Sequence, residues 1–157
     1  MSIINVVGAK IWGGGEQYVY DICKQLQQRH RTAYILVDQS NEDMQSRYAQ
    51  VGHVMTANLY TLKGFLSVNA VAKQMKEQGI HTIVCHSGKY ILFCIALKQL
   101  TGAKLVFIKH NLVPGKTDIY HRWINAQVDA FVCVSKLVYD DLMTPAIKDT
   151  SKYHVVY

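Results

Sequence analysis

The sequence predicts an α/β fold: a Rossmann-like, doubly wound, mostly parallel sheet of about seven strands with helices on both faces. Three observations carry this expectation. Short β-rich runs alternate with helix-length amphipathic stretches along the whole chain, and strand–helix–strand units build parallel sheets. The strand runs are continuously apolar, as a sheet covered on both faces requires. A glycine cluster, Gly13-Gly14-Gly15, joins the first strand to the first helix, at the edge where open α/β sheets hold their ligands.

The elements follow in order. Ile3, Ile4, Val6 and Val7 mark a strand over 3–7. The helix after the glycines, over 15–30, places Tyr18, Val19, Ile22, Cys23 and Leu26 on one face. A second strand covers 33–38. The polar stretch 39–50, with Gln39, Ser40, Asn41, Glu42 and Asp43, reads as a loop with a short helix. A strand over 51–57 and a helix over 62–78 come next, and Gly79 sits at the helix C-cap. The fourth strand is 82–86 and its helix 89–101, closed by Gly102. Strand 104–110 leads to a helix over 117–127, and strand 130–134 leads to one over 136–147. Ser135 is placed to cap that last helix. A strand-like run, 154–157, ends the sequence, which predicts a continuation into a further domain.

The chain has 157 residues, read as one domain over 1–157, and half of it is apolar. Its net charge of +6 is spread thinly. Scattered lysines and arginines suit solvated helix faces, or else a patch facing an anionic membrane or a polyanionic ligand. Cys23, Cys85, Cys94 and Cys133 each lie in an apolar run with no Cys-x-x-Cys pair. That pattern predicts buried, reduced thiols in a cytoplasmic protein. No leader is expected from the first residues, and the longest apolar run, 90–97, is shorter than the roughly 20 residues a bilayer span needs.

Candidate site residues are those falling at the carboxyl ends of strands. They are Lys10, Trp12 and the glycines after the first strand, and His86, Ser87 and Lys89 after the fourth. His110 and Asn111 follow the fifth strand, and Ser135 the sixth. The glycines are expected to turn the backbone at positive φ and to admit a ligand, with a tight helix–sheet turn as the alternative. The following helix start suits a phosphate. The cluster lacks the lysine of a P-loop, since Gly14 stands in its place, and it is not a dinucleotide fingerprint. Glu16 fits the helix dipole or the ligand vicinity. His110 suits a hydrogen bond to a hydroxyl or charge stabilisation, or is satisfied by a nearby loop. His86 belongs to the site or to a strand-to-helix turn. His30, His53, His81 and His154 read as surface residues. Tyr120, Trp123 and Ile124 share a helical spacing that predicts core, with His121 and Arg122 solvated. No metal-ligand constellation and no Gly-x-Ser-x-Gly nucleophile motif is present.

These residues resemble a known family. Gly13-Gly14-Gly15-Glu16 with the helix from Tyr18 to Leu26 is similar to the opening of family 4 glycosyltransferases of the GT-B fold. Val84-Cys-His86, the run Leu105 to Asn111, the segment Asp129-Ala-Phe-Val-Cys-Val-Ser135 and the run Lys152 to Tyr157 resemble later family segments in the same order. The resemblance implies the amino-terminal, acceptor-side domain of a retaining, metal-independent enzyme. A nucleotide sugar is its co-substrate, and no cofactor or metal is expected. By similarity Gly13, Gly14 and Gly15 meet the donor diphosphate and His110 is catalytic. Glu16, His86, Asn111 and Ser135 lie near the sugar or acceptor. Acceptor pockets are expected from loops 39–50, 58–62 and 111–118.

The implied partners are a glycan or lipid-linked acceptor and a carboxy-terminal donor-binding domain carrying Glu-x7-Glu, which this sequence lacks. Surface polysaccharide synthesis is the expected setting. The expected location is cytoplasmic, with peripheral contact at the inner face of the membrane allowed by the basic charge. Nucleic acid is not an expected partner. Without its second domain the chain is expected to be inactive. A non-catalytic binding module, or a subunit of a split enzyme, fits the same residues. A nucleotide-binding regulatory domain fits less well, for want of a phosphate-binding lysine.

Overall fold

The computed structural model describes residues 2–60, 64–112, 114–143 and 150–156, with Phe65 described by its backbone alone. The elements run β1 (Ser2–Val7), α1 (Gly14–Gln28), β2 (Tyr34–Asp38), α2 (Glu42–Tyr48), β3 (His53–Ala57), α3 (Gly64–Glu77) and β4 (Ile80–Cys85). A 3-10 turn (Gly88–Tyr90) leads into α4 (Ile91–Thr101). Then come β5 (Lys104–Lys109), α5 (Ile119–Gln127), β6 (Ala130–Cys133), α6 (Lys136–Leu142) and β7 (Tyr153–Val155). The expected α/β class, with alternating strands and helices, is observed.

Local chemistry sets the boundaries. Helix starts are capped by side chains: Asn41 accepts from the Met44 N–H, Asp118 from His121 and Ser135 from Val138. Gly79 and Gly102 take the left-handed conformation just past α3 and α4, at φ +62° and +71°. The helix expected over 136–147 ends earlier, at Leu142, because Met143 turns extended at φ −72° and ψ 113°; 144–149 lie outside the described residues. The same holds for 62 and 63 ahead of α3, and for 157 after β7.

All seven strands are parallel, in the order β3-β2-β1-β4-β5-β6-β7. Side chains alternate across the sheet. Ile4, Val6, Leu36, Ile83, Cys85, Leu105 and Phe107 pack on α3, α4 and α5, while Val7, Ile35 and Val37 pack on α1 and α2. This double burial explains the continuous apolar runs, and β2 is buried at every position. From β1 the chain winds outward to β2 and β3, and from β4 it winds the other way. β1 and β4 are therefore neighbours at the reversal of strand order, where the carboxyl ends leave a crevice. The glycine turn leaves β1 and His86 leaves β4 at that point.

Candidate active site

The glycine turn works differently from the sequence expectation. Gly13 is extended, at φ −141° and ψ −169°, and caps α1, whose first residues are Gly14 and Gly15. The positive-φ glycines among the described residues are Gly79 and Gly102, so left-handed backbone is not what the cluster supplies. It supplies bare backbone. A Cβ on Gly14 would meet nothing within 4 Å, and one on Gly15 would come to 3.9 Å from His110 Cδ2. Gly14, Gly15 and Glu16 line a cavity of about 590 Å³. Their N–H groups belong to the first helical turn, which has no intrahelical acceptors. Glu16 accepts the Gly13 N–H at 3.1 Å, so its carboxylate closes the helix start. Gly8, at the end of β1, is required for packing: a Cβ there would lie 2.8 Å from Tyr90 Cε1 and 2.9 Å from the Tyr60 hydroxyl.

Two histidines form the far wall. His86 Nδ1 lies 3.0 Å from His110 Nε2, and His86 Nε2 lies 3.1 Å from Asn5 Oδ1. The two imidazole planes lie within 22° of each other with centroids 5.3 Å apart, the near-coplanar, head-on arrangement of an N···N hydrogen bond, and Tyr18 meets His110 edge-on. Burial, reinforced by the neighbouring His110, pulls the His86 pKa down to about 3. Burial also lowers the pKa of His110, against the opposing pull of Glu16. Both shifts favour the neutral form of the two rings.

The remaining lining has two characters. Lys89, Lys109 and Lys116 bring positive charge, against the Glu16 carboxylate, the one carboxylate on the lining among the described residues. Lys109 lies 5.1 Å from the Phe107 ring centroid, and burial together with Lys116 lowers its pKa. Among the described residues none of these three lysines makes an ion pair. Phe107, Phe131 and Tyr153 form an apolar aromatic floor, Phe131 stacking on Tyr153 at 4.7 Å.

The structure brings Gly14, Gly15, Glu16, His86, Ser87, Lys89, His110 and Asn111 to this one cavity. Gly13 stands just behind it as the cap residue. Ser135 is not on its lining, and its hydroxyl accepts the Val138 N–H at 3.2 Å. Trp12 faces a separate small pocket with Gln17, Tyr20, Arg47 and Gln50, under the Arg47 guanidinium. Of the loops expected to hold the acceptor, Tyr60 and the segment Pro114-Gly115-Lys116 reach the cavity, and 39–50 does not. The core expectation for α5 is corrected: Ile124 is buried, but Tyr120 and Trp123 are half exposed beside Ile119, because α5 lies at the rim of the cavity. His121 also lines the cavity, its Nδ1 2.6 Å from the Asp118 carboxylate.

Sequence reasoning missed Asn5, Lys109 and Lys116. Asn5 had a signal, as the one polar residue within the run Ile3 to Val7. The lysines had none beyond their places, Lys109 at the end of β5 and Lys116 in the loop that follows. Among the described residues no group of three His, Cys, Asp or Glu side chains is arranged to hold a metal ion. No helix among them is long and apolar enough to cross a membrane. All four cysteines are buried and unpaired in disulfides.

The fold and sequence have known counterparts. The family model for Glycosyltransferase Family 4 matches residues 12–157. A glycosyltransferase from Rickettsia africae ESF-5 superposes at a TM-score of 0.79 with 18% identity, over 99% of this chain and 42% of that one. Anabaena HepE in complex with UDP and glucose gives 0.72 and 16%, over 100% of this chain and 44% of its own. The lipopolysaccharide outer core galactosyltransferase WaaB in its apo form gives 0.67 and 14%, over 100% and 45%. No curated protein matches the sequence. The chain spans less than half the length of these solved structures, as one half of a GT-B fold does. With residues 12–157 covered by the family model, this chain belongs to glycosyltransferase family 4.

Proposed function

We propose that this chain is the acceptor-side domain of a retaining, metal-independent glycosyltransferase. It moves a hexose-type sugar from a nucleotide sugar to a glycan or lipid-linked acceptor in surface polysaccharide synthesis. The observation that carries this is the meeting, in one cavity, of the bare first turn of α1, neutral His110 and three lysines that make no ion pair among the described residues. The anomeric carbon–phosphate oxygen bond breaks, and its electron pair leaves with the diphosphate. The helix N-terminus stabilises that charge without reorganising. An acceptor hydroxyl oxygen bonds the anomeric carbon on the same face, and its proton leaves with the diphosphate. His110 faces the sugar and helps stabilise charge developing there.

The likeness to HepE with UDP and glucose supports a uridine nucleotide donor, and the likeness to WaaB supports the polysaccharide setting. The share of the neighbours that is covered supports a second domain as the main donor site. Ile119 and Trp123, exposed on α5 beside Arg122, support peripheral contact with a membrane.

Calorimetric titration with UDP- and GDP-sugars tests this, on the 157-residue chain and on the full-length gene product. Binding and turnover are expected only in the longer protein, and Gly14→Val is expected to abolish that turnover while the fold is kept. Tight donor binding by the 157-residue chain alone would place the nucleotide site in this domain and overturn the acceptor-side assignment.

A further inference from the structure

The contacts behind His110 form a directed chain. Asn5 is 5% exposed in the middle of β1. Its Nδ2 is turned towards Cys23 Sγ at 4.0 Å, which leaves Oδ1 facing His86 Nε2 at 3.1 Å. A carbonyl oxygen only accepts, so His86 must carry its proton on Nε2. A neutral imidazole has one donor and one acceptor, so His86 Nδ1 is then a lone pair. The partner of that lone pair, at 3.0 Å, is His110 Nε2, which must therefore be the donor. Two donors face to face at that distance, with burial disfavouring a charged ring, are not an alternative. Among the described residues Glu16 is the anionic group acting on His110, and burial outweighs it; Tyr18 contributes only a ring edge.

We propose that Asn5 and His86 are positioning residues that lock His110 as its Nε2–H tautomer, so that Nδ1 offers a lone pair to whatever occupies the cavity. His110 is then an acceptor at neutral pH. It takes a hydrogen bond from a sugar or acceptor hydroxyl, or sets negative density against an electron-poor anomeric carbon. It does not donate to a phosphate oxygen from that nitrogen. The tautomer follows from the geometry, and its use in glycosyl transfer rests on the proposed function.

The test is multiple-bond nitrogen–proton correlation on the uniformly ¹⁵N-labelled chain at pH 7 with no substrate, in wild type and Asn5→Leu. Wild type is expected to show pyridine-like Nδ1 and protonated Nε2 in both rings. In Asn5→Leu the buried His86 Nε2–H loses its acceptor, and an orphaned buried donor is the costlier state. Both rings are therefore expected to move their protons to Nδ1. A wild-type His110 protonated on Nδ1, or on both nitrogens, would overturn the inference. So would a folded Asn5→Leu whose His110 tautomer is unchanged. Where Asn5→Leu does not fold, the wild-type spectrum alone still decides. Because no substrate is present, this result stands apart from the donor titration, and either can fail without the other.

Discussion

Asp38 and His110 occupy comparable places, one ending β2 and the other following β5, both at the carboxyl edge of the sheet. Their surroundings differ in kind. The Asp38 carboxylate is spent inside the protein: Oδ1 accepts from the Ser40 N–H and hydroxyl, and Oδ2 accepts from the Leu59 N–H at 2.9 Å. In dinucleotide-binding relatives of this architecture an acid about 20 residues past the glycine turn holds a ribose. Here that carboxylate instead ties two loops together. Among the described residues His110 has a hydrogen-bond partner at Nε2, His86, and none at Nδ1. Position at the sheet edge therefore marks where a ligand can lie, and the hydrogen-bond inventory separates a side chain committed to the loops from one that lines the cavity.

Substitution at both places should separate catalysis from stability. His110→Ala in the full-length protein is expected to lower kcat by about 10²-fold, close to 2.7 kcal/mol, with a smaller change in KM. Steady-state kinetics check this, and equal losses in kcat/KM through KM alone would mark His110 as a binding group. Asp38→Ala is expected to act the other way. It leaves the Leu59 N–H buried and unpaired, a loss of about 2 kcal/mol in urea unfolding, while the folded fraction turns over normally. A full-length Asp38→Ala enzyme that is stable but inactive would reverse the comparison.

Acid should widen the contrast between the histidine pair and the carboxylates. Burial, then His110, holds folded His86 near pKa 3 against an ordinary value of 6.5. Between those values the unfolded chain binds a proton that the folded chain refuses, so stability falls as pH drops below about 6.5. The slope approaches 1.4 kcal/mol per pH unit for that single group. Asp38 shifts downward: burial raises its pKa, but the Ser40 and Leu59 hydrogen bonds and Lys10 together outweigh burial. Its contribution is present above the ordinary carboxylate range and is lost only at lower pH. Unfolding series at pH 7, 6 and 5 on wild type and His86→Gln isolate the histidine, and parallel lines for the two proteins would remove His86 as the source.

The fold was legible because its signals are local and repeated. The runs at β1, β2 and β5 are apolar for the same reason that they are buried on both faces, and Gly79 and Gly102 stop helices by a backbone conformation that a side chain disfavours. The glycine turn was legible as a place where bare backbone meets a cavity, and its conformation was misread. Sequence shows that Gly14 has no side chain; only the backbone shows that its φ is ordinary and that the benefit is open space. The Asn5–His86–His110 chain joins residues 81 positions apart, and no spacing rule reaches across three strands. Tyr120 and Trp123 were misplaced because helical periodicity finds an apolar stripe without saying whether sheet or solvent covers it.

The same distinction applies within the segment from Asp129 to Ser135, which carried part of the family resemblance. Asp129 accepts from the Leu105 N–H and from Lys98, both at 2.8 Å, and so clips α4 and β5 to the start of β6. Ser135, at the other end, holds the first turn of α6 through Val138. Both side chains are used to build the β6 neighbourhood, and neither lines the cavity. Ser135→Ala should therefore cost about 1 kcal/mol of stability, the usual loss of a helix cap, with Ser135→Asp recovering most of it. Turnover per folded molecule should stay at the wild-type level in both variants. If Ser135→Asp restores stability but not turnover, the hydroxyl has a second task at the sugar, and Ser135 moves from the Asp38 side of the comparison to the His110 side.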